Sequence, residues 1–179
     1  MDLKGSRTEA NLMAAYAGES QARNKYTYYA NKAREDGYEQ IAQLFSETAE
    51  NEKAHAEIWF RLIHSGNVPG TAENLRDAAA DEHFEWSQMY PEFASTAKEE
   101  GFEHIALLFE KVGEIEKAHE NRFLRLMENV KDKMVFSKDG EAIWICRNCG
   151  HICVGKAAPG VCPVCFRPQS YFELKAENY

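Results

Sequence analysis

The first 145 residues contain no cysteine, and all five cysteines fall between Cys146 and Cys165. An odd count in tight pairs suits a metal knot in a reducing compartment and argues against a disulfide framework. No stretch approaches the roughly 20 apolar residues of a membrane span, and Met1-Asp2-Leu3-Lys4-Gly5-Ser6 carries no hydrophobic signal region. Positive charge is in deficit: 21 Lys and Arg stand against 29 Asp and Glu, a net charge of -8. That deficit argues against a nucleic-acid or anionic-membrane surface. The expectation is a cytoplasmic globular protein with a helical domain over residues 1–134 and a small cysteine-bearing module over residues 135–179.

The cysteine-free portion is organised around a block that occurs twice, Glu52-Lys53-Ala54-His55 and Glu116-Lys117-Ala118-His119. Residues i and i+3 of an α-helix share a face, so each block points a carboxylate and an imidazole the same way. Both blocks also lie on apolar stripes. Ile41, Leu44, Phe45 and Thr48 precede the first, and Ile105, Leu108, Phe109 and Val112 precede the second. The periodicity therefore turns the ligating pairs toward the core, where a lone ionised carboxylate is too costly to leave unpaired. No Lys or Arg lies on these stripes near the acids, which leaves a metal ion as the natural partner.

Four helices are predicted. The first follows a capping box at Ser6-Arg7-Thr8-Glu9 and stops at Gly37; the second runs from about Tyr38 to His64. A third starts near Thr71 to Asn74 and ends at Gly101, and a fourth covers about Phe102 to Lys131. Residues 37–55 match residues 101–119 at 11 of 19 positions, an internal repeat with a period of 64. The fold class that follows is an all-α four-helix bundle built from two helix hairpins, with the small metal domain behind it. One mismatch interrupts the repeat. Glu19 precedes Glu52 by 33 residues, but Glu82 precedes Glu116 by 34, so one extra residue sits between Glu82 and Tyr90. An inserted helical residue is commonly absorbed as a π-bulge, and Pro91 just beyond weakens the hydrogen-bond ladder further. Such a bulge is expected to swing Glu85 toward the metal.

The candidate donors are Glu19, Glu52, Glu82, Glu85, Glu116, His55 and His119. One Glu from each of two helices plus Glu-x-x-His from each of the other two is the donor set of ferritin-like di-iron and di-manganese bundles, and Glu85 is one carboxylate more. Oxygen and imidazole donors suit iron or manganese better than a structural zinc. Glu50 and Glu114 also match in the repeat but fall off the stripe, so they are expected to be exposed. Tyr26 and Tyr90 lie about two turns from Glu19 and Glu82 on the same faces; core packing is the simpler role, a hydrogen bond to a ligand or a radical the other. His64, His83, His104 and His151 fall outside the pattern.

The cysteine module contains Cys146-x-x-Cys149 and Cys162-x-x-Cys165. Two such knuckles on short turns place four thiolates around one ion, and zinc and iron both accept that arrangement. Cys153 lies outside the knuckles as a free thiol, and Trp144, Phe166, Tyr171 and Phe172 are the expected small core.

The segments Ala17-Gly18-Glu19-Ser20-Gln21-Ala22-Arg23, Glu82-His83-Phe84-Glu85 and Met89-Tyr90-Pro91 join the two Glu-x-x-His blocks and the cysteine knuckles in a specific pattern. Over essentially its whole length the chain resembles the rubrerythrins, in which a ferritin-like di-iron bundle is fused to a rubredoxin-like domain. The resemblance implies a non-haem di-iron peroxidase reducing hydrogen peroxide in oxidative-stress defence. Electrons would come from a donor protein such as rubredoxin and its NAD(P)H reductase, relayed through an iron held by Cys146, Cys149, Cys162 and Cys165. It further implies two irons held by Glu19, Glu52, His55, Glu82, Glu85, Glu116 and His119, with Glu52 and Glu116 bridging and a redox-linked exchange of Glu85 for His55. A homodimer or higher homo-oligomer is implied as well. Phe166 departs from the resemblance, since a glycine usually follows the second knuckle; Gly150 after the first is retained. A ferritin-type iron oxidase and storage protein, and a non-enzymatic electron carrier or zinc-stabilised module, are the rival functions.

Overall fold

Ser6 Oγ accepts a hydrogen bond from the Glu9 N–H at 3.1 Å, and the Glu9 carboxylate reaches back to the Gly5 N–H at 2.6 Å. That reciprocal cap opens α1, Arg7–Glu35, in the structure, a computed structural model that describes residues 2–178. The chain divides into two compact units, Met1–Pro69 and Gly70–Tyr179.

The first unit is a helix hairpin of α1 and α2, Glu39–Ile63. Gly37 takes φ +83°, and the Tyr38 N–H returns to the Ala33 carbonyl at 2.8 Å, which closes the end of α1 with the left-handed cap that glycine permits. Ala30 and Ala33 of α1 and Ala42, Ala49 and Ala56 of α2 are its buried residues. A seam of alanines lets two helix backbones approach closely, and it leaves the larger apolar side chains on the neighbouring faces.

The second unit begins with α3, Thr71–Phe84, continues through a π segment, Glu85–Met89, and resumes as α4, Tyr90–Glu99. These three pieces form the one long helix expected between Thr71 and Gly101. The Tyr90 N–H bonds to the Glu85 carbonyl, the i to i+5 closure that absorbs the extra residue. Pro91 follows at once, where its missing N–H falls at the junction. Gly101, φ +84°, repeats the cap of Gly37, with the Phe102 N–H on the Ala97 carbonyl at 2.7 Å. Helix α5, Glu103–Lys131, returns against α3 and α4 through Ala106 and Gly113. A Cβ added at Gly113 would stand 3.4 Å from Tyr90 Cβ, so this position, alanine in the first hairpin, narrows where Tyr90 crosses. Among the described residues no helix is long and apolar enough to cross a membrane.

After α5 come three antiparallel strands in the order β2-β1-β3: β1 is Ser137–Cys146, β2 is Ile152–Ala157 and β3 is Phe172–Leu174. Trp144, Cys146, Ala158, Cys162 and Phe172 are its buried cluster, with Tyr171 and Cys153 packed against it. The Trp144 indole donates to the Gly155 carbonyl at 3.0 Å. Phe166 is not part of this core: it is 79% exposed and has φ +59°, matching the φ +76° of Gly150 in the first knuckle. The two knuckles close alike, the Gly150 N–H on the Cys146 carbonyl at 2.8 Å and the Phe166 N–H on the Cys162 carbonyl at 3.0 Å. The backbone hydrogen bond is thus kept without glycine, and the left-handed backbone turns the phenyl ring outward. A side chain with a Cβ in that conformation costs about 1–2 kcal/mol. Phe166→Gly is therefore expected to raise stability by up to about 1 kcal/mol, after the greater unfolded-state freedom of glycine is set against the relieved strain. Chemical denaturation of the metal-loaded protein checks this; an unchanged or lower midpoint contradicts it.

Candidate metal centres

In the first hairpin the coil of α2 stacks Glu52 and His55 one above the other, and α1 presents Glu19 opposite them. His55 Nδ1 lies 2.9 Å from Glu52 Oε2 and 3.9 Å from Glu19 Oε1. In the second hairpin His119 Nδ1 lies 2.6 Å from Glu116 Oε2 and 3.5 Å from Glu82 Oε1. The two triads, Glu19 with Glu52 and His55, and Glu82 with Glu116 and His119, each gather their donor atoms within 4.8 Å. Each offers two carboxylates and one imidazole, enough charge to neutralise one divalent ion. Two donors at right angles on an ion about 2.1 Å away stand about 3 Å apart, which is the Glu-to-His spacing in both blocks. The side chains expected to share a face do so, and the acids are half-buried: the Glu52 and Glu116 side chains keep 17% and 15% of their exposure. Glu50 and Glu114 point to solvent, as the pattern required.

Glu85 falls outside the second triad but close to it. Burial, and then the charges of Glu116 and Asp81, hold its carboxyl above the usual carboxylate range. Glu82 is raised too, by burial first and then by Glu116, with Glu85 contributing. The Tyr90 phenol is pushed up by burial and by Glu85, Glu116 and Glu82, which keeps it a neutral donor. Like charges crowded in a half-buried place favour protons or a cation over free carboxylates. Two side-chain atoms among the described residues are buried without a hydrogen-bond partner: Trp59 Nε1, on the residue one turn beyond His55 along α2, and Ser87 Oγ, inside the π segment.

Tyr26 packs on Phe45 with ring centroids 6.1 Å apart, and Tyr90 packs on Phe109 at the same 6.1 Å, so the repeat preserves an aromatic contact as well as the ligands. A further group on the second hairpin escaped the sequence pattern. Trp86 Nε1 donates to Glu120 Oε2 at 2.5 Å, His83 Nδ1 stands 3.0 Å from Glu120 Oε1, and the Lys117 ammonium lies 4.6 Å from the Trp86 ring centroid. Glu120 occupies the seam position that is Ala56 in the first hairpin. A buried alanine replaced by glutamate across the repeat was the signal available. Through Trp86 and His83 this carboxylate grips both sides of Glu85, one residue after His119, and so braces the π segment against α5.

In the small domain Cys146 Sγ and Cys165 Sγ are 3.7 Å apart, as are Cys149 Sγ and Cys162 Sγ. A tetrahedron with metal–sulfur bonds of about 2.3 Å has edges of about 3.8 Å, so the quartet is already spaced for one ion. The Arg167 backbone N–H holds the Cys165 thiol down to about 6. The His151 backbone N–H favours the Cys149 thiolate, yet desolvation and the other three sulfurs push that thiol up to about 12. One sulfur ionises readily and the last resists, which is the behaviour of a quartet that needs a cation to become fully thiolate. Cys153 is a free thiol raised by burial, opposite Trp144 in the sheet.

Comparison with known proteins matches the helical and the cysteine-bearing portions of the chain separately. The family model described as Rubrerythrin matches residues 10–127, and that described as Rubrerythrin, rubredoxin-like domain matches residues 144–173. The chain is similar to a rubrerythrin of Porphyromonas gingivalis, 48% identical over 99% of this chain and 94% of that one. It is also similar to Rubrerythrin-1 of Clostridium acetobutylicum, 45% identical over 99% and 98%, and to a rubrerythrin of Nitratidesulfovibrio vulgaris, 43% identical over 99% and 98%.

Glu120→Ala removes the acceptor of the Trp86 indole and the partner of His83. A loss of about 1–3 kcal/mol in chemical denaturation is expected, with Glu120→Gln, which keeps an acceptor oxygen, losing less. Equal losses for the two variants, or none, contradict the bracing role.

Proposed function

The chain belongs to the rubrerythrin family, and from that membership we propose that it is a di-iron peroxidase, reducing hydrogen peroxide to water with electrons that enter through the four-cysteine iron. The fold class is the family's: a helical ferritin-like domain followed by a small sheet region that carries four cysteines. The family binds iron, and both donor sets fit it: carboxylate and imidazole triads on the helices, and a tetrahedral thiolate quartet on the knuckles. We assign Glu19, Glu52, His55, Glu82, Glu85, Glu116 and His119 to the iron pair and Cys146, Cys149, Cys162 and Cys165 to the single iron.

The observation that carries the reading is the repeated triad with a surplus acid, Glu85, set beside one copy by the π segment. When bound, the iron pair supplies Lewis acidity and the two electrons that, with two protons, convert one hydrogen peroxide into two waters. The protein's own groups do the rest. Glu82 and Glu85, held above the usual carboxylate range by burial and by Glu116 when no cation stands between them, would give up those protons on binding iron and serve as its carboxylate donors. Tyr90 stays protonated beside them as a hydrogen-bond donor. His55 is the looser of the two imidazoles, with 51% of its side chain exposed against 34% for His119. An exchange of Glu85 for His55 as the site changes oxidation state is what the family resemblance implies.

With iron bound, the thiolate quartet would give the protein a one-electron port, for which the rival iron-storage reading offers no obvious role. The upstream donor is proposed to be a small electron carrier of rubredoxin type with its NAD(P)H reductase, acting in the reducing cytoplasm where free thiols such as Cys153 persist. Rapid mixing of anaerobically reduced protein with a single equivalent of hydrogen peroxide tests the reading. The ferric-thiolate colour of the quartet is expected to return quickly with peroxide and slowly with oxygen. Absence of that colour, or equal rates with the two oxidants, contradicts it.

A further inference from the structure

We propose that Glu120 is a positioning residue: it fixes the turn of the helix at which the extra residue is absorbed, and so keeps Glu85 on the same face as Glu82. Its bearing on iron rests on the reading that Glu82, Glu85, Glu116 and His119 hold metal. The pin itself belongs to the second hairpin alone.

A one-residue bulge can be closed at more than one turn of a helix, and where it closes decides which side chains share a face. The Glu85 N–H bonds to the Asp81 carbonyl, so the ordinary ladder runs unbroken as far as Glu85. The wide closure comes only after it, from the Tyr90 N–H to the Glu85 carbonyl. Glu82 and Glu85 therefore stand at ordinary i, i+3 helical spacing, on one face. Were the extra residue absorbed between them, everything after it would turn by about 100°, and Glu85 would leave that face. Pro91 removes one bond from the ladder beyond the segment but leaves the turns nearer Glu82 open. The hydroxyl inside the segment does not hold the register either. Ser20 and Ser46, on uninterrupted helix, bond back to the carbonyls four residues earlier at 2.7 and 2.9 Å, whereas Ser87 Oγ is buried with no partner.

Glu120 makes the choice from outside. One of its oxygens accepts from Trp86 Nε1 at 2.5 Å, and the other stands 3.0 Å from His83 Nδ1. His83 belongs to α3 and Trp86 to the π segment, so a single carboxylate holds a residue on either side of the junction. An extra residue between the two would turn Trp86 about 100° away and break its bond. The Lys117 ammonium, 4.6 Å from the Trp86 ring centroid, holds the indole in place from α5 as well. With 15% of its side chain exposed, Glu120 makes these bonds largely out of water, where they are stronger. The first hairpin is the internal control. Its α1 is continuous from Arg7 to Glu35, no fifth acid is present, and Ser20 and Ala56 occupy the places of His83 and Glu120. The pin occurs only in the hairpin that has a bulge to hold.

The test separates geometry from charge with three full-chain variants. Glu120→Ala loses both bonds and the charge. Trp86→Phe loses the indole bond and keeps the charge. Glu120→Gln loses the charge but keeps an acceptor for Trp86 and offers a donor to His83. Peptide-resolved hydrogen exchange on the as-isolated proteins reads the π segment. Amides of residues 85–90 are expected to exchange about tenfold faster in Glu120→Ala and Trp86→Phe, and at close to the wild-type rate in Glu120→Gln. The midpoint potential of the iron pair, followed by its mixed-valent electron paramagnetic resonance signal, reads the effect on iron. Release of an anionic donor disfavours ferric iron, so the potential is expected to rise in Glu120→Ala and Trp86→Phe and to stay near wild type in Glu120→Gln. A potential that follows charge instead, shifted equally in both Glu120 variants and unmoved in Trp86→Phe, overturns the positioning role. Unchanged exchange in all three variants overturns the pin. Wild-type protein without a coupled pair overturns the functional reading and the link to iron, while the exchange rates still decide whether Glu120 holds the bulge.

Discussion

Carboxylates placed together with no lysine or arginine among them are the constraint around which this chain is built. Burial, and then the charge of Glu116, hold Glu82 and Glu85 above the usual carboxylate range, and the triad on the first hairpin gathers two more acids around His55. Repulsion of this kind destabilises an empty site and is relieved by a cation, so the folded protein gains most where the metal binds. The helices then answer a geometric question, which is how to hold acids and imidazoles at ligand spacing without filling the space with side chains. Alanine and glycine seams draw the helices of each hairpin together and leave the stripe beside them for donors.

The second hairpin departs from the first where chemistry asks for asymmetry. An extra residue becomes the π segment, and Glu85 stands at its start. A π segment is weakly held by its own backbone, and here Glu120 supplies outside support through Trp86 and His83. The bracing carboxylate follows His119 directly in sequence, so candidate ligand and brace ride on the same turn of α5. The cysteine domain solves its problem differently. Its core is small, centred on Trp144 and Phe172, and the ion between the knuckles supplies the cross-link that so small a core lacks.

Much of this was legible in the sequence because it was written twice. The Glu-x-x-His blocks, the capping glycines Gly37 and Gly101 and the aromatic pairs of Tyr26 and Tyr90 all recur with the period of the repeat. The π segment was legible for the opposite reason, as a single-residue break in that period. Glu120 was missed because a charged residue next to a candidate ligand histidine looks like solvent-facing helix surface, and only its pairing with Ala56 marks it as a seam position. Phe166 was placed in the core on hydrophobicity, whereas its left-handed backbone, set by the knuckle hydrogen bond, turns it outward. Periodicity places donors on a face but says nothing of the depth at which they lie, which is why the acids came out half-buried.

The central claim is that the chain holds iron in two chemically distinct settings, a pair on carboxylates and imidazoles and a single ion on thiolates. Mössbauer spectroscopy of protein loaded with iron-57 addresses it directly. The three ligand groups predict a helical-domain component and a tetrathiolate component in a ratio of two to one, the first diamagnetic when oxidised because its two ions are coupled. A spectrum with the tetrathiolate component alone, or with uncoupled ions on the helices, contradicts the account.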